Sequence, residues 1–524
     1  MSDKQIKAGD VSVDENDLIK ARYDHLAGLK QAGVDPYPAT AQRTHTTAEA
    51  LTLWEQHKKQ WGKTPGSPVQ TATDLTVVGR ITALRSHGGA TFADVEDDKG
   101  KLQLLAQESV LKTQYNLWSL FDLGDFVEVS GPLFITKRGE VTLHVDSSTF
   151  LAKSLRPLPD KWAGLEDKEK RFRERYADLI ANPEVRQKFY TRTRLVKSLR
   201  DTLENAQFME VETPILQTIA GGATAKPFIT HYNAYDADVF LRVAPELYHK
   251  RLIVGGFERV YEFARVFRNE GVDHSHSPEF TDLEFYAAYW NYEQMMDFSE
   301  TMIRNAVKES TGELTVAYKE MKIDFKPKFK RIAFADAIKA ATGIKLAEET
   351  EDSLREKIHQ LKIDVPAEAD FGKLADYLYK AKVRPTIIQP TFLIDHPIEL
   401  SPLAKKKTDR EVQRFQLVVA SEFELCNAFS ELNDPVDQRE RFLKQQELRK
   451  RGDEEAQPFD EDYIRALEYG MPPTAGFGMG IDRFAALVTN SHTLREVILF
   501  PYMRPKDHET HTMKHETPDQ PQKE

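Results

Sequence analysis

Arg265-Val-Phe-Arg-Asn-Glu-Gly-Val-Asp-His-Ser-His-Ser-Pro-Glu-Phe-Thr-Asp-Leu-Glu-Phe-Tyr286 reads as a strand, a polar loop and a second strand. The first strand ends at Arg268. The loop holds Glu270, Asp273, His274 and His276. In the second strand Asp282, Glu284 and Tyr286 alternate with Leu283 and Phe285, the two-residue period of a sheet with one polar and one apolar face. An antiparallel pair with an arginine at its turn can hold a phosphate through the guanidinium and an ammonium through the carboxylates. Taken alone, the segment is equally an exposed charged hairpin.

Two further segments carry chemistry. Gly476-Phe-Gly-Met-Gly-Ile-Asp-Arg483 leads into a helix with Ile481, Phe484 and Leu487 on one stripe. Its glycines allow close backbone approach to a ligand, and Arg483 sits in the first turn, where a helix N-terminus favours anions. The spacing is neither the dinucleotide nor the P-loop signature. Glu422-Phe-Glu-Leu-Cys-Asn427 alternates carboxylates with apolar residues, and close carboxylates need a cation between them. Cys426, the single cysteine, excludes a disulfide framework or a multi-cysteine metal site and reads as packing.

The chain has 524 residues, enough for two to four domains of roughly 100–200 residues each. Net charge is −11, which gives no compositional support for nucleic-acid binding, although residues 153–200 carry a local excess of +7. No apolar run approaches the roughly 18 residues of a membrane span, and no signal is visible, so the expected location is the cytoplasm. Residues 1–70 read as a helical extension, with Leu18, Ile19, Tyr23, Leu26 and Leu29 forming the stripe of a helix over 14–31. From 71 to 153 the period changes to two. Five short strands with turn signals, and a helix near 108–120, predict an OB-type barrel, a fold that commonly binds oligonucleotides. Residues 154–182 read as a linker or hinge, 183–505 as a larger α+β domain with a helical insertion near 310–392, and 506–524 as a disordered tail.

Together these segments resemble the class II aminoacyl-tRNA synthetases, specifically the lysyl-tRNA synthetase family. Phe208-Met-Glu-Val-Glu-Thr-Pro214 is similar to motif 1. Phe267-Arg-Asn-Glu-Gly271 with Pro278-Glu-Phe-Thr281 is similar to motif 2. Gly480-Ile-Asp-Arg483 with Phe500-Pro-Tyr-Met-Arg504 is similar to motif 3. Gly221-Gly-Ala-Thr-Ala-Lys-Pro-Phe228, Ala244-Pro-Glu-Leu-Tyr248, Tyr469-Gly-Met-Pro-Pro473 and Glu431-Leu-Asn-Asp434 point to the lysine enzymes within the class.

The resemblance implies an N-terminal OB-fold barrel and a catalytic domain built on an antiparallel sheet flanked by helices. It implies a two-step reaction: lysine and ATP give lysyl-adenylate and pyrophosphate, and lysine then passes to the 3′-terminal adenosine of tRNA(Lys). It also assigns roles. Arg268 holds the ATP α-phosphate and the lysine carboxylate; Glu270 and Phe280 take the adenine. Arg483 stands near the γ-phosphate, and His276 and Gly480 complete the ATP set. Gly222, Glu246 and Glu284 receive the α-ammonium of lysine. Tyr286 and Glu431 receive its ε-ammonium, with Asn427 and Phe429 lining the pocket. Glu424 binds Mg²⁺, of which more than one ion is expected, and Glu431 is a second metal candidate. Arg268 and Arg483 are the catalytic pair. Arg85, Phe92, Gln103 and Glu140 face the anticodon. A homodimer through motif 1 is expected, with no membrane partner.

Two positions depart from the family. Ser277 stands where Asn is usual, and Gln416, eight residues before Glu424, stands near where a Glu seven residues before it is usual. Either a one-residue bulge intervenes or the second metal ligand is replaced. An aspartyl or asparaginyl enzyme, a lysyl transferase acting on a protein, and a non-catalytic RNA-binding paralogue are the alternatives. The carboxylate-rich pocket, suited to a cationic amino acid, opposes the first, the barrel the second, and the intact arginines the third. His274–His276 and the tail residues His508, His511 and His515 are not expected to bind metal.

Overall fold

The computed structural model describes residues 15–61, 75–159, 167–271, 273, 276–450 and 456–506. The readings made for residues 1–14 and 507–524, and for His274, lie outside them. The chain divides into two compact units, 1–166 and 167–524.

In the first unit a seven-stranded sheet wraps one core. Its strands are β1 (Leu75–His87), β2 (Ala90–Glu96), β3 (Lys101–Gln107), β4 (Phe126–Gly131), β5 (Leu133–Ile135), β6 (Val141–Val145) and β7 (Ser147–Ala152), in the order β5-β6-β3-β2-β1-β4-β7. β3 and β6 are parallel, and the other pairs are antiparallel. The five expected strands are present, with β5 and β7 in addition. A single α-turn at Glu108–Leu111 and a 3₁₀ stretch at Lys112–Leu120 fill the place of the expected helix. Val77, Ile81, Ala93, Val95, Leu104 and Val127 fill the interior, and Leu29, Ala50 and Trp54 of the two preceding helices join it.

The first of these helices (Glu15–Gln31) buries only part of the expected stripe: Leu29 reaches the core and Ile19 and Leu26 are half-buried. Leu18 and Tyr23 are exposed. Arg22 is buried instead, donating to the carbonyls of Ser154 and Arg156 at 2.9 and 3.0 Å, and His25 Nδ1 lies 2.8 Å from Asp122 Oδ2. Polar barrel edges meet the rest of the helix, so a hydrophobic period reads only part of its face.

The second unit centres on an eight-stranded mixed sheet. Its strands are β8 (Met209–Glu210), β9 (Arg259–Phe267), β10 (Glu279–Ala288), β11 (Lys330–Ala333), β12 (Thr391–Ile394), β13 (Arg414–Val419), β14 (Phe423–Ser430) and β15 (Thr474–Gly480). The order is β11-β12-β13-β14-β15-β10-β9-β8, antiparallel from β12 to β9 and parallel at both ends. The helices Pro183–Asn205, Tyr292–Thr311 and Ile481–Val488 cover one face, burying Leu199, Ile303 and Phe484 against Leu283, Phe285 and Phe477. Phe285 and Phe477 stack with centroids 4.5 Å apart. On the other face Val260 and Ala288 pack against the helices Glu246–Val254 and Glu461–Glu468, and the rest is left open and polar.

Two regions differ from the sequence reading. The stretch 310–392 holds strands as well as helices. Three helices between Phe334 and Lys382 form their own core and cross from β11 to the parallel β12. Part of the stretch read as a linker folds into the second unit as helices Lys168–Arg173 and Arg175–Ala181. Arg175 is buried there, 2.6 Å from Asp178 and donating to the carbonyls of Arg495 and Leu499. Lys153 is likewise buried on Asp122 and Asp125. Two charges of the basic stretch are therefore internal counter-ions, not a surface.

Candidate active site

The open face of the second sheet holds a cleft of about 480 Å³. Alternation along β10 decides its floor. Leu283, Phe285 and Ala287 enter the core, while Asp282, Glu284 and Tyr286 line the cleft. Gly222, Glu246, Arg268, Glu270, His276, Phe280, Glu424, Asn427, Phe429, Gly480 and Arg483 line it as well. Of the expected substrate residues only Glu431 is absent from the lining.

At one end the cleft is cationic. The Arg268 guanidinium stacks over the Phe280 ring, 5.0 Å from its centroid. Arg268 Nη2 makes one long bond to the Val243 carbonyl, 3.5 Å, and its buried Nε has no partner. Arg483 Nη2 lies 3.4 Å from His276 Nε2, and His276 Nδ1 lies 2.9 Å from Asp273. Asp282 stands between the arginines. Burial pushes it up to about 6, although Arg268 and Arg483 pull the other way. Asp482 accepts from the Thr281 backbone N–H at 3.0 Å and from Arg192 at 2.5 Å, which ties the start of the last helix to β10.

The other end is anionic and deep. The Tyr286 hydroxyl donates to Glu284 Oε2 at 2.8 Å, and burial pushes Glu284 well above the carboxylate range, with Asp282 and Glu246 adding to the shift. Glu431 lies under the floor, wholly buried. It faces the cleft through Gly476, where an added Cβ would stand 2.0 Å from Glu431 Oε1 and 2.4 Å from the Tyr286 ring. The glycines read as a lead into a helix are strand β15. Here glycine is needed for close approach, because a side chain would close the opening.

Lys250 went unnoticed in the sequence. It sits beneath Glu246 and Glu431, with Nζ 2.6 and 2.5 Å from their carboxylates. An i,i+4 spacing from Glu246 is its only trace in the sequence.

The metal corner differs from expectation. Glu424 lines the cleft, with the Tyr379 hydroxyl 3.3 Å and Arg384 Nη1 3.4 Å from Oε1. Glu422 points elsewhere, to Lys319 at 2.8 Å. The register shift facing Leu417 and Val418 leaves Leu425 as the extra residue, on β14 and beyond Glu424, and Gln416 lies opposite Asn427 on the cleft wall, near His396 Nε2 at 3.1 Å. An amide stands near the usual carboxylate position, and this bulge does not account for the count of eight residues to Glu424. Glu431 cannot share an ion with Glu424. The two lie at opposite ends of one extended strand, roughly 20 Å apart at about 3.3 Å per residue. Among the described residues no group of three His, Cys, Asp or Glu could hold a metal. Glu424 alone fits Mg²⁺ that arrives with phosphates, since that ion ordinarily takes one or two carboxylates and keeps waters. Cys426 is buried, and burial pushes its thiol far up, as packing requires.

On the barrel, Arg85 lies opposite Phe92, and Phe92 opposite Leu105, on the outer side of β1, β2 and β3. Phe92 is half-buried and outside the barrel core. Gln103 donates to Glu140 at 2.8 Å and accepts from Thr142 at 2.8 Å. Asp94, on the same face, is held by Lys101 at 2.7 Å and by Arg85 at 3.8 Å. The four expected residues thus share one surface.

Comparison with known proteins follows this division. Residues 75–151 match the OB-fold nucleic acid binding domain, and residues 167–504 match the class II tRNA synthetases (D, K and N). The chain is 47% identical to the lysine--tRNA ligase of Carboxydothermus hydrogenoformans, over 94% of this chain and 99% of that one. It is 47% identical to that of Roseiflexus castenholzii over 94% and 99%, and 43% identical to that of Bacillus subtilis over 93% and 97%. The chain belongs to the class II tRNA synthetases, and within them to the lysine--tRNA ligase family.

Proposed function

We propose that this chain is a lysine--tRNA ligase that activates L-lysine with ATP and transfers it to the 3′-terminal adenosine of tRNA(Lys). The observation that carries the reading is the polarity of the cleft: arginines at one end, and three buried carboxylates with a tyrosine at the other. A triphosphate needs the first, and an amino acid with two ammonium groups needs the second.

Arg268, stacked on Phe280 with an unpartnered Nε, is free to bind the α-phosphate and the lysine carboxylate. Bringing the two to near-attack distance and neutralising the charge that develops supplies the catalysis, with Arg483 at the far phosphates. No protein nucleophile is needed. Phe280 and Glu270 take the adenine; His276 and Gly480 border the phosphates. Gly222, Glu246 and Glu284 receive the α-ammonium, Tyr286 and Glu431 the ε-ammonium, and Asn427 and Phe429 line the path between. Glu424 holds Mg²⁺, which when bound neutralises phosphate charge. The barrel face with Arg85, Phe92, Gln103 and Glu140 takes the anticodon, Phe92 by stacking on a base.

A homodimer through motif 1 is part of the reading. Met209, Ile215, Leu216, Ile229 and Tyr232 are exposed apolar residues on or beside that segment, which supports a covered surface. No helix among the described residues is long and apolar enough to cross a membrane.

Amino-acid-dependent ATP–pyrophosphate exchange tests the assignment. Lysine alone among the common amino acids is expected to support it, without tRNA. Exchange with aspartate or asparagine, or with none, would overturn it.

A further inference from the structure

Lys250 has no role in the readings above. It projects from the Glu246–Val254 helix and is wholly buried. The rings of Phe429 and Tyr463 flank its Nζ, with centroids 5.4 and 5.9 Å away. A buried ammonium without partners ordinarily loses its proton. Burial pulls that way here, but the carboxylates of Glu246 and Glu431 outweigh it and keep Nζ charged.

Those two carboxylates serve opposite ends of the substrate. Glu246 lines the cleft beside Gly222, and Glu431 faces it through Gly476. Lys250 pairs with one oxygen of each, hydrogen-bonding Glu246 and lying against Glu431 Oε2, and neither oxygen of Glu431 accepts a well-aligned hydrogen bond from the protein. We propose that Lys250 is a positioning residue for the substrate: it bridges Glu246 and Glu431 from beneath, fixes the span between the two ammonium-binding ends, and sets at two the number of further cations the pocket requires. The proposal rests on the lysine-ligase reading.

The charges support the count. Once a bound ligand draws off their protons, Glu246, Glu284 and Glu431 are three carboxylates, and Lys250 supplies one cation. The two charges left over match one α-ammonium and one ε-ammonium, while Arg268 meets the substrate's carboxylate. A neutral or acidic amino acid would leave a buried carboxylate uncompensated, which is strongly unfavourable.

The groups facing this cluster come from four elements. The helix of Lys250 contributes Glu246 and His249, whose pKa burial lowers, so its ring is neutral. β10 contributes Glu284 and Tyr286. The residue after β14 is Glu431. The Glu461–Glu468 helix contributes Tyr463, whose hydroxyl burial pushes far up and keeps neutral. Of these groups, Lys250 is the cation that acts on Glu431, while Glu246 opposes it.

The test uses the full chain with Lys250→Met, Lys250→Arg and Lys250→Met/Glu431→Gln. Lysine-dependent exchange is measured across pH, and thermal melts are taken with and without lysine. For Lys250→Met the KM for lysine at neutral pH is expected to rise about 100-fold, as when one partner of a buried charge pair is lost, with the KM for ATP little changed. The pH above which the lysine KM levels off should move up, and lysine should no longer raise the melting temperature. Lys250→Arg, which keeps the charge, should recover most of the pH profile but not the full affinity. If Lys250→Met does not fold, Lys250→Arg carries the same readouts, and the double variant, which lacks the Glu431 titration, reports folding only.

A lysine KM and pH profile like the parent's in folded Lys250→Met, or a Lys250→Arg profile with full parental affinity, would overturn the proposal. So would equal loss of ATP and lysine affinity. Absence of lysine-dependent exchange in the parent chain would instead overturn the function itself.

Discussion

Gly476 and the Glu431 carboxylate share one small space: a methyl group on the glycine and Oε1 would stand 2.0 Å apart. Gly476→Ala is therefore expected to cut Glu431 off from the cleft. The KM for lysine should rise roughly 100-fold or more, about 3 kcal/mol, the low end for breaking a buried ion pair. The KM for ATP should stay near the parent's. Overpacking should also cost stability, about 1–3 kcal/mol, read as a lower melting temperature. A variant with parental lysine affinity would place the ε-ammonium elsewhere.

Burial pushes Glu431 up to about 8, with Lys250 opposing the shift. An ammonium needs the ionised carboxylate, so the proton must leave as lysine binds. Lysine affinity should therefore rise with pH and level off above that value. Below it, the KM for lysine should climb by about tenfold per pH unit, while the KM for ATP stays flat. Exchange kinetics at several pH values check this. A pH-independent lysine KM would show that Glu431 does not receive the substrate.

Phe92 lies outside the barrel core and opposite Arg85. Phe92→Ala should leave lysine activation and melting temperature unchanged. It should weaken tRNA binding by about 1–3 kcal/mol, the worth of one stacked base, seen as a raised KM for tRNA in charging. Equal damage to both steps would mean that the ring supports the barrel.

Gln416 stands on the cleft wall near His396, and the metal corner has one carboxylate where two would bind more tightly. Gln416→Glu should lower the Mg²⁺ concentration for half-maximal exchange, by about tenfold if the new carboxylate reaches the ion. Direct Mn²⁺ binding in the presence of ATP, followed by electron paramagnetic resonance, gives a second readout. No change in either would show that position 416 lies beyond the metal's reach.

The cleft was legible where its chemistry lay along one strand. Asp282, Glu284 and Tyr286 alternate with Leu283 and Phe285, and a two-residue period needs no tertiary knowledge to assign faces. The barrel strands were legible for the same reason. Lys250 was not. On a helix between charged and aromatic neighbours, a lysine reads as a solvated side chain, and only the packing of β14 and the Glu461–Glu468 helix makes it a buried counter-ion. Arg22, Lys153 and Arg175 misled in the same way: a charge in sequence carries no mark of the carboxylate or carbonyl that will meet it. The bulge at Leu425 left no mark in the sequence, because it lies beyond Glu424 and outside the spacing that was counted.

The Glu246–Lys250–Glu431 bridge also constrains how the chain can drift. Its three members share one buried charge balance, so no one of them can be replaced alone at small cost. A descendant that accepts a different amino acid must change at least two of these positions together, or pass through an intermediate too unstable to persist. The pocket's preference is thereby protected against the loss of any one of the three charges alone.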